Sequence, residues 1–310
     1  MTVALALLLG SAAAGWLAPR LLWRVSDPVV ALVAWIASIA AVVITSTVAV
    51  VLLVLPEHGL GVLDTLHHCW DSVRHGTTPT IEVISGLTGG VLLTSLLVRL
   101  VVVGARSTRQ HARARQEHLS ILRVAGRRQA GPHPTVWLDH DRPLAFSLAG
   151  KPGVVVATEG LHRHLTPSQV DAVLDHERAH LDGRHHLLVA AADAVAATLP
   201  VLPLFTRAAT TIRELVEMAA DLTSARTHGV ETVREALIRV SRHGVPNSAL
   251  AMSRDALGTR LDRLQRRRRM PNRTQRLLSC GIAGITAAAL PIVTASAALT
   301  AVMLLACPSS

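Results

Sequence analysis

The sequence predicts a mostly α-helical, polytopic membrane protein that carries a small α+β domain. Three observations carry that prediction. Half of the 310 residues are hydrophobic and the mean hydropathy is +0.40. The apolar residues are gathered in long blocks rather than spread in an amphipathic pattern, and blocks of that length read as membrane-crossing helices. Between the third and fourth blocks lies a polar stretch in which short β-like runs give way to helical periodicity.

The first three blocks, at about 3–23, 29–55 and 81–105, make residues 1–105 a three-helix membrane segment. The fourth makes 277–310 a C-terminal membrane helix. At about 1.5 Å per residue each block spans a hydrocarbon layer of roughly 30 Å. Arg99 stands near enough to the end of its block to snorkel. Trp16, Trp23 and Trp70 fall near the expected interfaces, where an amphipathic ring is favoured. The first block is read as retained rather than cleaved. Ser11-Ala12-Ala13-Ala14 has the composition of a cleavage site, but Met1-Thr2-Val3-Ala4 offers no basic n-region.

The formal net charge is +10, and Lys151 is the only lysine. The arginines flank the apolar blocks. Arg20 and Arg24 occupy the first loop. The second loop, 56–80, holds Glu57, Asp64 and Asp71 against Arg74. Arg106, Arg109, Arg113, Arg115, Arg123, Arg127 and Arg128 follow the third block. Basic, acidic, basic alternation places the N-terminus outside and the polar middle in the cytoplasm. The basic run from Arg263 to Arg276 has no aromatic interleaving and leads into an apolar block. It therefore reads as a topology signal and lipid-headgroup contact, with no direct nucleic-acid role. Cys69, Cys280 and Cys307 form no CxxC pair and read as lone thiols.

The middle region, 106–276, opens with a basic helix at 106–128. Thr135 to Leu138, Leu144 to Leu148 and Val154 to Thr158 read as short strands between turns. An apolar stretch at 187–205 contains Asp193 and is broken by Pro200 and Pro203. A single crossing there would put its basic flanks on opposite sides of the membrane, so it reads as a re-entrant or buried helix.

Thr166-Pro167-Ser168-Gln169 starts a helix, with an N-cap, a proline at the first helical position and a capping box. The same helix carries His176-Glu177-Arg178-Ala179-His180. Residues four apart share a helical face, so both imidazoles reach one metal ion. Glu177 lies beside them, placed to take a proton from a metal-activated water. A catalytic zinc site needs a third protein ligand. Glu217, on a later helical segment at about 206–227, can supply it, with Glu214 as the rival. Asp221, one turn further on, can anchor a ligand imidazole. Two imidazoles and a carboxylate favour one Zn2+ ion. Among the remaining histidines, His67, His68, His111, His133, His140, His162 and His164 read as surface or turn residues.

The run from Leu165 to Val170, followed by His176 to His180, resembles the BlaR/MecR antirepressor-type membrane metallopeptidases, which are related to the HtpX and CAAX-prenyl (Ste24) peptidases. Glu217-Met218-Ala219-Ala220-Asp221 resembles their ExxAD motif, whose first Glu is the third zinc ligand. Leu144-Ala145-Phe146-Ser147, with Val154-Val155-Val156 and Gly160-Leu161, resembles the strands upstream of their HExxH. The resemblance makes Ala145, Phe146 and Ser147 candidates for pairing with an extended substrate. Arg260-Leu261-Asp262-Arg263-Leu264 resembles a late segment of the family to which no role is assigned. The likeness spans roughly 80–276. It departs at residue 185, where relatives often carry Asp and this chain has His185; His185 and His186 read as helix-end or interfacial groups. The chain is expected to lack the extracellular sensor domain of the antirepressor type.

Together these readings imply a zincin-like zinc metalloendopeptidase domain on a polytopic helical membrane protein. The resemblance implies regulatory proteolysis of a protein substrate such as a BlaI/MecI-type transcriptional repressor. The alternatives are an HtpX-like quality-control peptidase and a non-catalytic membrane signalling scaffold.

Overall fold

The computed structural model describes residues 2–54, 127–244 and 272–306, with parts of 88–106 and of 258–262. The expected acidic loop 56–80, most of the expected basic helix 106–128 and the arginine run 263–271 lie outside the described residues. Two long helices open the chain, α1 (Thr2–Leu22) and α2 (Pro28–Val54). Four strands follow: β1 (Arg127–Gln129), β2 (Thr135–Leu138), β3 (Ala145–Leu148) and β4 (Val154–Thr158). Then come α3 (Gly160–His164), α4 (Pro167–Asp182), α5 (His185–Thr198) and α6 (Pro203–Thr206). The last three helices are α7 (Ala208–His228), α8 (Val230–Gly244) and α9 (Arg273–Ala306). Residues 98–106 and 260–262 are also helical.

The chain divides into two compact units. The first gathers α1, α2, the segment 195–208 and α9 from Leu277 onward. Among the described residues, three helices are long and apolar enough to cross a membrane, within Val3–Leu22, Pro28–Leu52 and Thr274–Ala301. The start of α2 is fixed locally. Asp27 Oδ1 accepts from the Val29 and Val30 amides at 2.9 and 3.3 Å, and Pro28 takes the first helical position. Ala14, Ala18, Ala31, Ala34 and Ala49 are buried, so small side chains let these helices approach closely. Gly10 lies directly against Ala295 of α9, where a Cβ would stand 2.6 Å from the Ala295 backbone nitrogen. Thr294 Oγ1 donates to the Gly10 carbonyl at 2.8 Å across the same contact. Arg99 donates to the Ala197 carbonyl at 3.2 Å. The apolar stretch 187–205 is two helices: the 14-residue α5 stops at Thr198 and α6 opens at Pro203. Fourteen residues reach about 21 Å, short of a hydrocarbon core.

The second unit holds the sheet, α3, α4, α8, most of α5 and of α7, and the helical residues 260–262. The strand order is β1-β2-β4-β3, with β2 and β4 parallel and both outer pairs antiparallel. The alternation of β-strands sorts the side chains by face. Trp137, Val155 and Ala157 pack with Leu161, Leu165, Val170, Leu174 and Leu181 of the helices. Val136, Val154 and Val156 form a separate cluster on the opposite face. Strand β3 is the edge next to β4, and its Ala145 and Ser147 pair with Ala157 and Val155 on the helix-covered side. The first strand corrects an expectation, because Arg127 and Arg128 are not helical. They extend the sheet as β1 against β2, and Gln129 Oε1 accepts from the Trp137 indole N–H at 3.1 Å.

Candidate metal centre

The site is built on α4 and α7. Helix α4 starts at the expected capping box. Thr166 Oγ1 accepts from the Gln169 amide, and Gln169 Oε1 accepts from the Thr166 amide at 3.1 Å. Gln169 also donates to Glu235 of α8 at 2.7 Å. Val170, Leu174 and Leu181 turn to the core, which leaves His176 and His180 on a different face, one turn apart. Ser224 of α7 is buried and donates to the Ala172 carbonyl of α4 at 2.7 Å. His228 Nε2 lies 2.7 Å from Asp175 Oδ2, and Arg178 donates to the other oxygen of Asp175 at 2.8 Å. These contacts set the register of α7 against α4, and with it the reach of Glu217.

The Nε2 atoms of His176 and His180 stand 3.2 Å apart. Glu217 Oε2 is 3.5 Å from His176 Nε2, and its Oε1 is 3.5 Å from His180 Nε2. The three side chains offer ligand atoms within 4.8 Å of one another and form a possible metal site. The donor set passes a simple test of fit. Tetrahedral nitrogen and oxygen ligands about 2.0–2.1 Å from zinc stand about 3.3 Å from each other. Glu214, the rival third ligand, is exposed and takes no part in this group.

Asp221 is buried, and its Oδ1 lies 3.0 Å from His176 Nδ1. Arg260 grips the same carboxylate with two hydrogen bonds, Nε to Oδ2 at 2.7 Å and Nη2 to Oδ1 at 2.6 Å. Its Nη1 stands 3.4 Å from Glu217 Oε2. Burial alone would raise the Asp221 pKa, but the hydrogen bonds from Arg260 and His176 hold it at about 2. Burial opposes charge on His176, yet hydrogen bonds to Asp221 and Glu217 raise its pKa to about 9. His180 moves the other way, lowered by burial and by the nearby charge of His176.

Glu177 follows His176 on α4. Burial pushes its carboxyl up, against the opposing pull of His176, while the Ser147 hydroxyl donates a hydrogen bond to it. The three strand candidates therefore part company. Ser147 touches Glu177, Ala145 packs on the helical core, and Phe146 points to the other face and is 42% exposed. Two residues were missed as site residues. Arg260 stands 39 positions beyond Asp221; its segment, Arg260 to Leu264, resembles a late stretch of the family but carries no assigned role, and spacing alone does not tie it to the site. His185, read as a helix-end group, does open α5, but it is buried with its Nδ1 2.9 Å from His180 Nδ1.

A family model for peptidase family M48 matches residues 108–265, more than half of the chain. No solved structure matches it.

Proposed function

Because the chain belongs to peptidase family M48, whose members are metal-dependent peptidases, we propose that it is a membrane-anchored zinc metalloendopeptidase with His176, His180 and Glu217 as the metal ligands and Glu177 as the proton carrier. The observation that carries this reading is the convergence of two imidazole nitrogens and one carboxylate at separations of 3.2–3.5 Å, from two helices. A zinc ion held there supplies a water acidified to a pKa of about 7 and a Lewis acid for the scissile carbonyl.

The chain's own residues account for the rest. Asp221 accepts from His176 Nδ1–H and so leaves Nε2 bare for the metal. Arg260 holds Asp221 in place and partly offsets the negative charge of Glu217. The Glu177 carboxylate takes the proton of the attacking water and passes it to the leaving amine nitrogen. Its raised pKa suits both halves of that transfer, and the Ser147 hydroxyl fixes its orientation. Strand β3, an edge of the sheet that runs past the same carboxylate, is the element against which an extended substrate pairs.

The substrate is a protein at or near the membrane. Its regulatory form, cleavage of a BlaI/MecI-type repressor, rests on the resemblance of the motifs. The HtpX-like alternative is general degradation of damaged membrane proteins. One discrete cut in one partner favours the first, and many cuts in unfolded proteins favour the second. The central test is Glu177→Gln in protein purified in detergent, with casein as substrate. Zinc content should stay at the wild-type level while cleavage falls by about 10²–10⁴-fold. Cleavage at the wild-type rate would remove Glu177 from its role. Unchanged cellular function in this variant would favour a non-catalytic scaffold. Glu217→Ala should lower zinc affinity; full retention would pass the third ligand position to Glu214 or another residue.

A further inference from the structure

We propose that His185 is a positioning residue that fixes His180 as an Nε2 ligand, and that the turn between α4 and α5 is shaped to deliver it. This inference rests on the metal-centre reading above. His180 shows its Nε2 edge to His176 Nε2 at 3.2 Å and to Glu217 Oε1 at 3.5 Å. Its Nδ1 edge meets His185 Nδ1 at 2.9 Å, with the rings edge to face at 86°. Two ring nitrogens this close share one hydrogen, so one donates and the other accepts. A bare Nε2 on His180 requires the hydrogen on its Nδ1. The His185 Nδ1 is then the acceptor, and its own hydrogen sits on Nε2. Only this combination of tautomers satisfies the contact and leaves a ligand atom on His180.

The backbone is committed to this arrangement. Helix α4 ends at Asp182 and α5 begins at His185, with only two residues between them. Arg184 adopts φ 48°, a left-handed conformation that side-chain-bearing residues rarely take. Gly183 is closely overlaid by the His185 ring, and a Cβ there would collide with ring atoms Nε2 and Cδ2. The ring itself is buried. A left-handed residue, a glycine with no room for a side chain and a buried imidazole thus converge on one hydrogen bond.

The two ligand imidazoles are held by chemically different groups. His176 leans on Asp221, an anion backed by Arg260, and His180 leans on a neutral ring. His185 therefore orients its ligand without adding a second anion beside Glu217.

The test compares zinc affinity, measured by competition with a chromogenic chelator, for the full chain in detergent and for two variants. His185→Phe keeps a ring of similar volume and removes the acceptor. His185→Asp removes the ring and supplies an acceptor. The Phe variant should bind zinc about 10–100-fold more weakly, with the metal-free protein still folded by circular dichroism. The Asp variant should regain affinity to the wild-type level or above. Wild-type affinity in the Phe variant, or an Asp variant as weak as the Phe variant, would overturn the role of His185 alone. A wild-type chain that takes up no zinc would overturn the metal-centre reading and this inference with it.

Discussion

At His176 two opposing effects meet. Burial disfavours its charge, Asp221 and Glu217 favour it, and the second effect wins, raising its pKa to about 9. At neutral pH the metal-free imidazole therefore carries a proton that a metal must displace. The sign follows directly: the proton is bound without metal and absent with it, so metal affinity rises with pH. Zinc affinity should increase about tenfold per pH unit between roughly pH 6 and 8 and level off near 9. Competition titrations across that range check it, and a flat profile would contradict it. Arg260 supports a second prediction. Its ion pair with Asp221 is inaccessible to water on the carboxylate side, and breaking such a pair by removing one partner costs about 3–5 kcal/mol. Arg260→Ala should lower the unfolding free energy of the metal-free protein by an amount near that range, as denaturant titration would show. At this scale the site is legible where it is contiguous. His176, Glu177 and His180 lie within five residues on one helix, so helical spacing alone aligns them. It is not legible where the chain must bend. On an uninterrupted helix, residue 185 would lie about 140° around from His180. It faces the ring only because α4 breaks at Gly183 and Arg184. Arg260 depends on a return of the chain that no local pattern announces.

Elements were legible in proportion to how strongly their side chains alternate or repeat. Strands β2 and β4 are rich in β-branched residues and largely buried, and their limits match the runs Thr135 to Leu138 and Val154 to Thr158. Strand β1 is Arg-Arg-Gln, with no apolar residue to mark it. It exists because the edge of β2 needs a partner and Trp137 needs an acceptor for its N–H. The stretch 187–205 shows the opposite limit. It reads as one re-entrant or buried helix in spite of Pro200 and Pro203, but the backbone turns between Thr198 and Pro203. Helix-to-helix contacts are less visible still, because they depend on small residues that carry little signal. Gly10 is the clearest case, since any side chain there meets the backbone of Ala295. Gly10→Val should destabilise the packing of α1 on α9 by about 1–3 kcal/mol, the usual cost of overfilling a close contact. Thermal unfolding in detergent reports the loss. Zinc affinity should not change, because Gly10 belongs to a different compact unit from the proposed ligands His176, His180 and Glu217.

At the scale of the whole molecule, the chain alternates between an apolar unit and a polar one. It builds the first from α1 and α2, enters the second at about residue 104, returns for 195–208 and comes back at 277. That interleaving explains why composition separates the two units only in part. The orientation rests on charge asymmetry in the sequence. Arg20 and Arg24 on one side of α2 face an acidic loop, 56–80, on the other, and arginines again dominate after the third apolar block. Because arginine is strongly retained on the cytoplasmic side, Cys69 should lie outside and Lys151, in the peptidase unit, inside. Both positions can be read with one reagent. A variant in which Cys69 is the sole cysteine should react with a membrane-impermeant maleimide in intact cells. A variant in which Lys151→Cys supplies the only thiol should react only after lysis, since residue 151 is exposed in the folded protein. The reverse pattern would invert the topology and put the catalytic unit outside, where a cytoplasmic repressor could not reach it. Labelling of both from outside would mean that at least one apolar block fails to cross.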